Sequence, residues 1–247
     1  MVKKYIEGET KEQRKKRKNL EKTQQSVPVE TKKEIVYETL DFQPNKKIAF
    51  VLGNGVSRKP VNPFLLKNYG VIYGCNALYR EFTPDHLIAV DVKMIKEITD
   101  KGYHLSNNVW TNPNRFTREI DKINLFNPNL GWSSGPSALN LASTHGYEEI
   151  YILGFDYEGT GNKKDLVNNI YAGTFNYKQV NERATYYGNW TRQTNTCIKR
   201  YPNVRYIRVI NDVNSFVPDS LIGLKNLTHI TVENFKKKFV AWLNIVK

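Results

Sequence analysis

Five short apolar runs, each stopped by a glycine, asparagine or aspartate, constrain this chain most. They are Ile48-Ala49-Phe50-Val51-Leu52 before Gly53, Val71-Ile72-Tyr73 before Gly74-Cys75-Asn76, and Leu87-Ile88-Ala89-Val90 before Asp91. Ile150-Tyr151-Ile152-Leu153 before Gly154-Phe155-Asp156 and Tyr206-Ile207-Arg208-Val209-Ile210 before Asn211-Asp212 complete the set. Runs this short, rich in β-branched residues and lacking polar alternation, read as strands buried on both faces. Their terminators tolerate unusual backbone angles and carry polar groups to the edge of a sheet. Between the runs lie helical patterns. Ser137–His145 places Ala138, Leu139, Leu141 and Ala142 on one face, with Gly146 as a stop. Residues 92–99 read as a helix, 178–200 as a polar helical region, and 232–246 as an amphipathic helix carrying Phe235, Phe239, Trp242 and Val246. Strands alternating with helices predict a Rossmann-like α/β domain with a mostly parallel sheet over residues 46–247.

The first 45 residues read differently. Residues 1–25 hold nine basic side chains against four acidic ones and almost no large apolar residue, and the whole chain of 247 residues carries a formal charge of +13. Such a segment buries too little surface to offset its ordering entropy, so residues 1–45 are expected to form a disordered basic tail and linker. Arg14–Lys18 is either a phosphate-binding arm for nucleic acid or a solvated face. No apolar run approaches the roughly 20 residues of a transmembrane helix, and no apolar segment follows the basic start as a secretory signal requires. Two cysteines, Cys75 and Cys197, exclude a disulfide scaffold and a cysteine-only zinc site. A cytoplasmic protein is expected.

In a parallel sheet, ligands bind at the carboxyl ends of the strands, which makes the strand-end residues the candidates for chemistry. Gly53-Asn54-Gly55-Val56-Ser57 offers free amides and short polar side chains, yet has neither the Lys-Ser/Thr of a Walker loop nor a full dinucleotide fingerprint. Ser133-Ser134-Gly135-Pro136-Ser137 opens the best helix and is suited both to capping it and to holding an anion at its end. Asp156 is placed to bind a ribose hydroxyl, to bind a metal, or to cap a turn. Asp91 is the best carboxylate for a base or donor contact, and equally suited to cap the helix after it. No His/Cys/Asp cluster has metal-ligand spacing.

The order Gly-Asn-Gly-Val-Ser (53–57), Gly-Cys-Asn (74–76), Ser-Ser-Gly (133–135) and Gly-Tyr-Glu-Glu-Ile-Tyr-Ile-Leu-Gly-Phe-Asp (146–156) resembles the bacterial lipooligosaccharide sialyltransferases. It is similar also to the wider glycosyltransferase-like set that includes archaeal 6-hydroxymethylpterin pyrophosphokinase-type proteins. The resemblance spans roughly residues 46–212. It implies a single domain of variant GT-A type that takes a CMP- or UDP-linked sugar as substrate, with no permanently bound cofactor and no required metal. It implies that Asn54 and Ser57 lie by the nucleotide phosphate and ribose, Asn76 by the donor, and Ser133, Ser134 and Gly135 by the phosphate or the sugar carboxylate. Gly53 and Gly55 belong to the same loop, and Gly154 and Asp156 would line the base or ribose side. Two family features depart here. The first phosphate tyrosine falls one place early, at Tyr157, and the general-base histidine of a Tyr-x-Gly-His stretch is Asn189 in Tyr186-Tyr187-Gly188-Asn189. An asparagine is no proton acceptor near neutral pH. Three readings follow: sugar transfer to an unknown acceptor with Asp91, Tyr157 and Asn189 as catalytic candidates, phosphoryl transfer of the pterin pyrophosphokinase type, or a non-catalytic binder of nucleic acid or an assembly.

Overall fold

The computed structural model describes residues 10–13, 15, 16, 34–38 and 47–243. Of the expected basic arm, Lys15 and Lys16 are described, helical and exposed, while Arg14, Arg17, Lys18 and most of the linker lie outside the described residues. The chain divides into a unit over Met1–Lys33 and a unit over Glu34–Lys247.

In chain order the larger unit runs β1 (Ile48–Leu52), α1 (Pro63–Leu66), β2 (Val71–Cys75), β3 (His86–Ile88) and α2 (Val92–Asp100). It continues with β4 (Val109–Thr111), β5 (Asn124–Leu125), α3 (Ser134–Thr144) and β6 (Glu149–Leu153). It ends with α4 (Gly188–Arg200), β7 (Arg205–Ile210), β8 (Leu227–Thr231) and α5 (Val232–Leu243). The eight strands form one sheet in the order β5-β4-β3-β2-β1-β6-β7-β8. Every pairing in it is parallel. The α/β class and the Rossmann-like arrangement expected from the strand runs are thus present.

Side chains alternate across a strand, so each apolar run feeds two cores. Ala49 and Val51 of β1 pack with Ala138, Leu139 and Ala142 of α3 and with Cys197 and Ile198 of α4. Ile48, Phe50 and Leu52 point to the other face, where Phe235 and Phe239 of α5 meet Tyr151. Leu87 and Ala89 continue that second face toward Met94, Ile95 and Ile98 of α2. Helices on both faces of a parallel sheet explain why the strands read as continuous apolar runs.

Two element expectations need correction. The helical region expected over 178–200 is helical only from Gly188. Residues 182–184 pair instead antiparallel with 165–167, through Val167 N to Glu182 O at 3.0 Å and Ala184 N to Asp165 O at 2.7 Å. α3 starts at Ser134 rather than Ser137, and Gly146 follows it at φ +78° as the expected stop. The helix expected over 232–246 is present as α5, and residues 244–246 lie outside the described residues.

Residues 34–38 run alongside β8. His229 N donates to Val36 O and Glu38 N to His229 O, at 2.8 and 2.6 Å. Glu38 is thereby carried into a buried ion network. It accepts from Lys238 Nζ at 2.9 Å and also pairs with Arg205, which reaches Glu149 at 2.8 Å. No described helix is long and apolar enough to cross a membrane.

Candidate functional site

The strand order reverses at one place. From β1 the chain steps through β2, β3, β4 and β5 to one side, then returns to place β6 against the other side of β1. A crevice must open where the two connections part, at the carboxyl ends of β1 and β6. There the loops Gly53-Asn54-Gly55 and Gly154-Phe155-Asp156 close on each other. Gly53 N donates to Leu153 O at 2.8 Å and Gly55 N to Gly154 O at 2.9 Å. The fit leaves no room for side chains. A Cβ on Gly53 would stand 2.6 Å from Gly154 O, and one on Gly154, at φ +69°, would stand 2.8 Å from Gly53 O.

Above these loops lies a cavity of about 410 Å³. Gly53, Asn54, Gly55, Asn76, Asp91, Ser133, Ser134, Gly135, Gly154, Asp156 and Tyr157 all line it. Of the residues expected at the site, Ser57 and Asn189 are the two that do not. Ser57 turns away: its hydroxyl and its N–H both donate to the Asp156 carboxylate, the latter at 3.1 Å. Asn189 is exposed in the first turn of α4, while its neighbours Tyr187 and Trp190 line the cavity.

The first turn of α3 lines the same space through Ser133, Ser134, Gly135 and Pro136. The first intrahelical bond is Ser137 N to Ser133 O, and Pro136 has no N–H, so the N–H groups of Ser134 and Gly135 have no intrahelical acceptor. Ser133 makes no side-chain cap bond to this helix. Gln193 Oε1 of α4 instead accepts from Ser133 N at 3.1 Å. The Ser134 hydroxyl is used internally. It donates to Asn76 Oδ1 at 2.8 Å and accepts from Val90 N at 3.1 Å, tying α3 to the ends of β2 and β3. Asn76 holds φ +51° to make that contact. Asn54 is buried, its Nδ2 donating to Cys75 O and to the Tyr177 hydroxyl, both at 3.3 Å. Its Oδ1 has no partner among the described residues.

The remaining wall comes from the long connection between β6 and α4. Asn168, Asn169, Thr185 and Tyr187 face the cavity. The connection is pinned by Ile170 N to Asn54 O at 2.9 Å and by Tyr171, whose hydroxyl meets Arg58 at 3.2 Å. Arg58, itself buried, donates through Nε to Gly53 O at 2.9 Å and so stiffens the first glycine loop from behind. The sequence reading did not identify Asn168, Asn169 or Arg58; no motif marks an asparagine pair inside a loop.

The electrostatics are lopsided. Among the described residues no lysine or arginine lines the cavity, whereas Asp91 and Asp156 do. Asp91 occupies the N-cap position of α2 but makes no cap bond, and its carboxylate is exposed. Tyr157 has its hydroxyl turned onto Thr194 Oγ1 at 2.8 Å, and burial pushes its pKa up. Cys75 also lines the cavity, but burial outweighs the nearby Arg58 and pushes its thiol up to about 12, so it stays protonated and inert at neutral pH. None of the four histidines lines the cavity: His86 and His145 lie 5.3 Å apart near Tyr73, His86 opening β3 at the sheet's opposite end, and His229 is buried in β8. Among the described residues no group of three or more His, Cys, Asp or Glu is placed to hold a metal ion. Compared with family models, curated proteins and solved structures, the chain has no match in any of the three.

Proposed function

We propose that this chain binds a nucleotide-activated sugar in the crevice between β1 and β6 and transfers the sugar to an acceptor hydroxyl. The observation that carries the reading is the convergence at one switch point of two interlocked glycine loops and the unpaired amides of α3. Such amides, with the Ser133 hydroxyl, are suited to a phosphate oxygen, and the dipole of an eleven-residue helix favours its negative charge. Asn54, Asn76, Asn168 and Asn169 supply directional donors and acceptors for a base, ribose or sugar, and Trp190 and Tyr187 an aromatic wall.

The charge balance favours a donor with few phosphates. Among the described residues two carboxylates and no cationic side chain line the cavity, so a triphosphate would meet repulsion there with only helix amides to oppose it. A nucleoside monophosphate sugar carries one phosphodiester charge, which α3 can hold alone. In an inverting transfer the leaving phosphate would be stabilised by these amides and by Ser133, in the manner of an oxyanion hole. The proton of the acceptor would pass to a carboxylate, since Asn189 is no base and Tyr157 already donates to Thr194.

The test is a melting-temperature panel of CMP, UMP, UDP, GDP, AMP and ATP, with and without Mg²⁺, on wild type, Ser133→Ala and Asp91→Asn. A ligand that binds only the native state raises the melting temperature by about 2.7 kcal/mol of stabilisation at a hundredfold excess over Kd. Stabilisation by CMP or UDP without Mg²⁺, reduced in Ser133→Ala, is expected. Stabilisation by ATP with Mg²⁺ alone would replace this reading with phosphoryl transfer. No stabilisation by any nucleotide would leave a binding protein whose basic tail, tested by retention on heparin, is the functional part.

A further inference from the structure

Transfer to an acceptor hydroxyl needs a group that takes its proton, in the same open space as the phosphate. Five ionisable side chains line the cavity: Cys75, Asp91, Asp156, Tyr157 and Tyr187. Burial raises the pKa of Cys75, Tyr157 and Tyr187, so all three stay protonated at neutral pH. Asp156 is engaged. Ser57 holds one of its carboxylate oxygens through N–H, at 3.1 Å, and the other through its hydroxyl. Arg208 donates to Phe155 O and Asp156 O at 2.9 and 3.2 Å and fixes the backbone beneath. The Asp156 carboxylate thus ties the second glycine loop to the first, as part of the cavity's structure.

Asp91 differs on each count. An aspartate at the start of a helix ordinarily bonds the amides of the first turn. Asp91 stands at that position of α2 and makes no such bond, and no described residue bonds its carboxylate. It is exposed, so a hydroxyl arriving from solvent meets it directly. Its backbone is held, because Ile95 N donates to Asp91 O at 3.0 Å. It also adjoins the place proposed for the phosphate. Val90 N donates to Ser134 Oγ, in the first turn of α3, at 3.1 Å, and Asp91 follows Val90 at a Cα spacing of about 3.8 Å. Asp91 and the first turn of α3 line one and the same cavity, so no wall separates a proton acceptor there from a sugar joined to that phosphate.

We propose that Asp91 is the catalytic base and that the acceptor enters from solvent beside the first turn of α2. This rests on the reading of the cavity as the donor site. The proton of the acceptor hydroxyl moves to the Asp91 carboxylate as the hydroxyl oxygen bonds to the anomeric carbon. The bond from that carbon to the phosphate oxygen breaks, its electron pair leaves with the nucleotide, and Asp91 gives the proton to water. Water is the smallest acceptor of this kind, and its reaction yields free sugar and free nucleotide.

The test uses the full chain with CMP-N-acetylneuraminate, UDP-glucose, UDP-galactose and UDP-N-acetylglucosamine, without added acceptor, and follows nucleotide release by chromatography. Release from at least one donor, above the rate without protein, is expected. Asp91→Ala should lower kcat ~10²-fold or more with KM unchanged. Its melting temperature should match wild type, since no cap bond is lost. Added formate should restore part of the rate in Asp91→Ala and leave wild type as it was, a response that a role in folding or in donor binding would not give. Wild-type kcat in Asp91→Ala overturns the base. A loss carried by KM, or one that formate does not restore, overturns it in favour of a donor contact, and a lowered melting temperature without rescue in favour of a cap. Formate rescue of Asp156→Ala but not of Asp91→Ala overturns the choice between the two carboxylates. CMP- and UDP-induced stabilisation is read on the same samples. Absence of nucleotide binding overturns the donor site, binding with no release from any donor overturns transfer and base together, and release that persists in Asp91→Ala overturns the base alone.

Discussion

Gly55→Ala isolates the steric demand at the switch point, because Gly55 sits at φ −64° and ψ 150°, a conformation open to any residue. The argument for glycine here is only space. A Cβ would stand 2.6 Å from Asp156 Oδ2, 2.7 Å from Asp156 Cγ and 2.7 Å from Gly154 O. Ordinary contact begins near 3.4 Å, so about 0.7 Å must be found on two sides. One side is a main-chain oxygen that already accepts from Gly55 N at 2.9 Å. The other is a carboxylate held by Ser57. Overpacking of this kind costs about 1–3 kcal/mol, and weakening a hydrogen bond to a charged group about 1.5–3 kcal/mol. The smaller freedom of alanine in the unfolded chain returns about 0.4–1 kcal/mol. A net loss of about 2–4 kcal/mol follows, a drop of roughly 5–15 °C for a chain of this size. Calorimetry or urea unfolding reads it. Gly146→Ala serves as the reference: φ is +78° with nothing within 4 Å, so only backbone strain of about 1–2 kcal/mol applies. Removing the carboxylate in Asp156→Ala should relieve two of the three clashes and reduce the cost of Gly55→Ala. A Gly55→Ala protein that melts with wild type, or a cost unchanged in the Asp156→Ala background, would refute the interlock.

Other perturbations test the scaffold. Lys238→Ala leaves Glu38 buried without its closest lysine, and unfolding in urea should show a loss of about 3–5 kcal/mol. His229 is held down to about 4 by burial and then by Arg208, below its ordinary 6.5. The unfolded chain takes up that proton first, so stability falls as pH drops from about 6.5 to about 4, and His229→Leu should flatten the slope there. Glu97 would be raised by burial, but Arg80, Tyr79 and Asn176 hold it at about 2. Its contribution is present above about 4.5 and lost as pH falls toward 2, so Glu97→Gln should remove that lower part of the acid slope.

The strands that could be read were those buried on both faces. β1, β2, β3, β6 and β7 carry continuous apolar runs because helices cover both sides of them. β4 is three residues, Val-Trp-Thr, and β5 two, too short for any periodicity to register. β8, Leu-Thr-His-Ile-Thr, alternates polar residues, because it is the last of the eight strands in the sheet order. Residues 178–187 have a helix-compatible composition, but Glu182 and Ala184 exchange backbone bonds with Val167 and Asp165, partners that local propensity cannot see. At the site, the strand-end rule located both glycine loops and the start of α3. It could not distinguish side chains facing the ligand space from those supporting it. Ser57 and Ser134 have the right identity and position, but their hydroxyls serve Asp156 and Asn76. Asn189 sits where a motif alignment puts it, one step along the helix from the residue that faces inward.

The interlocked loops have a consequence for how the molecule is wired. Ser57 and Asp156 are 99 residues apart in the chain, and the first loop belongs to the half that makes β1 to β5, the second to the half that makes β6 to β8. The floor of the cavity therefore exists only once both halves are in place, and no fragment that lacks either can recreate it. A ligand resting on Gly53 to Gly55 and Gly154 to Asp156 together would act as a reversible cross-link between segments distant in the sequence. Its binding would hold the two halves to each other, so that protection from proteolysis or exchange spreads to strands the ligand never touches.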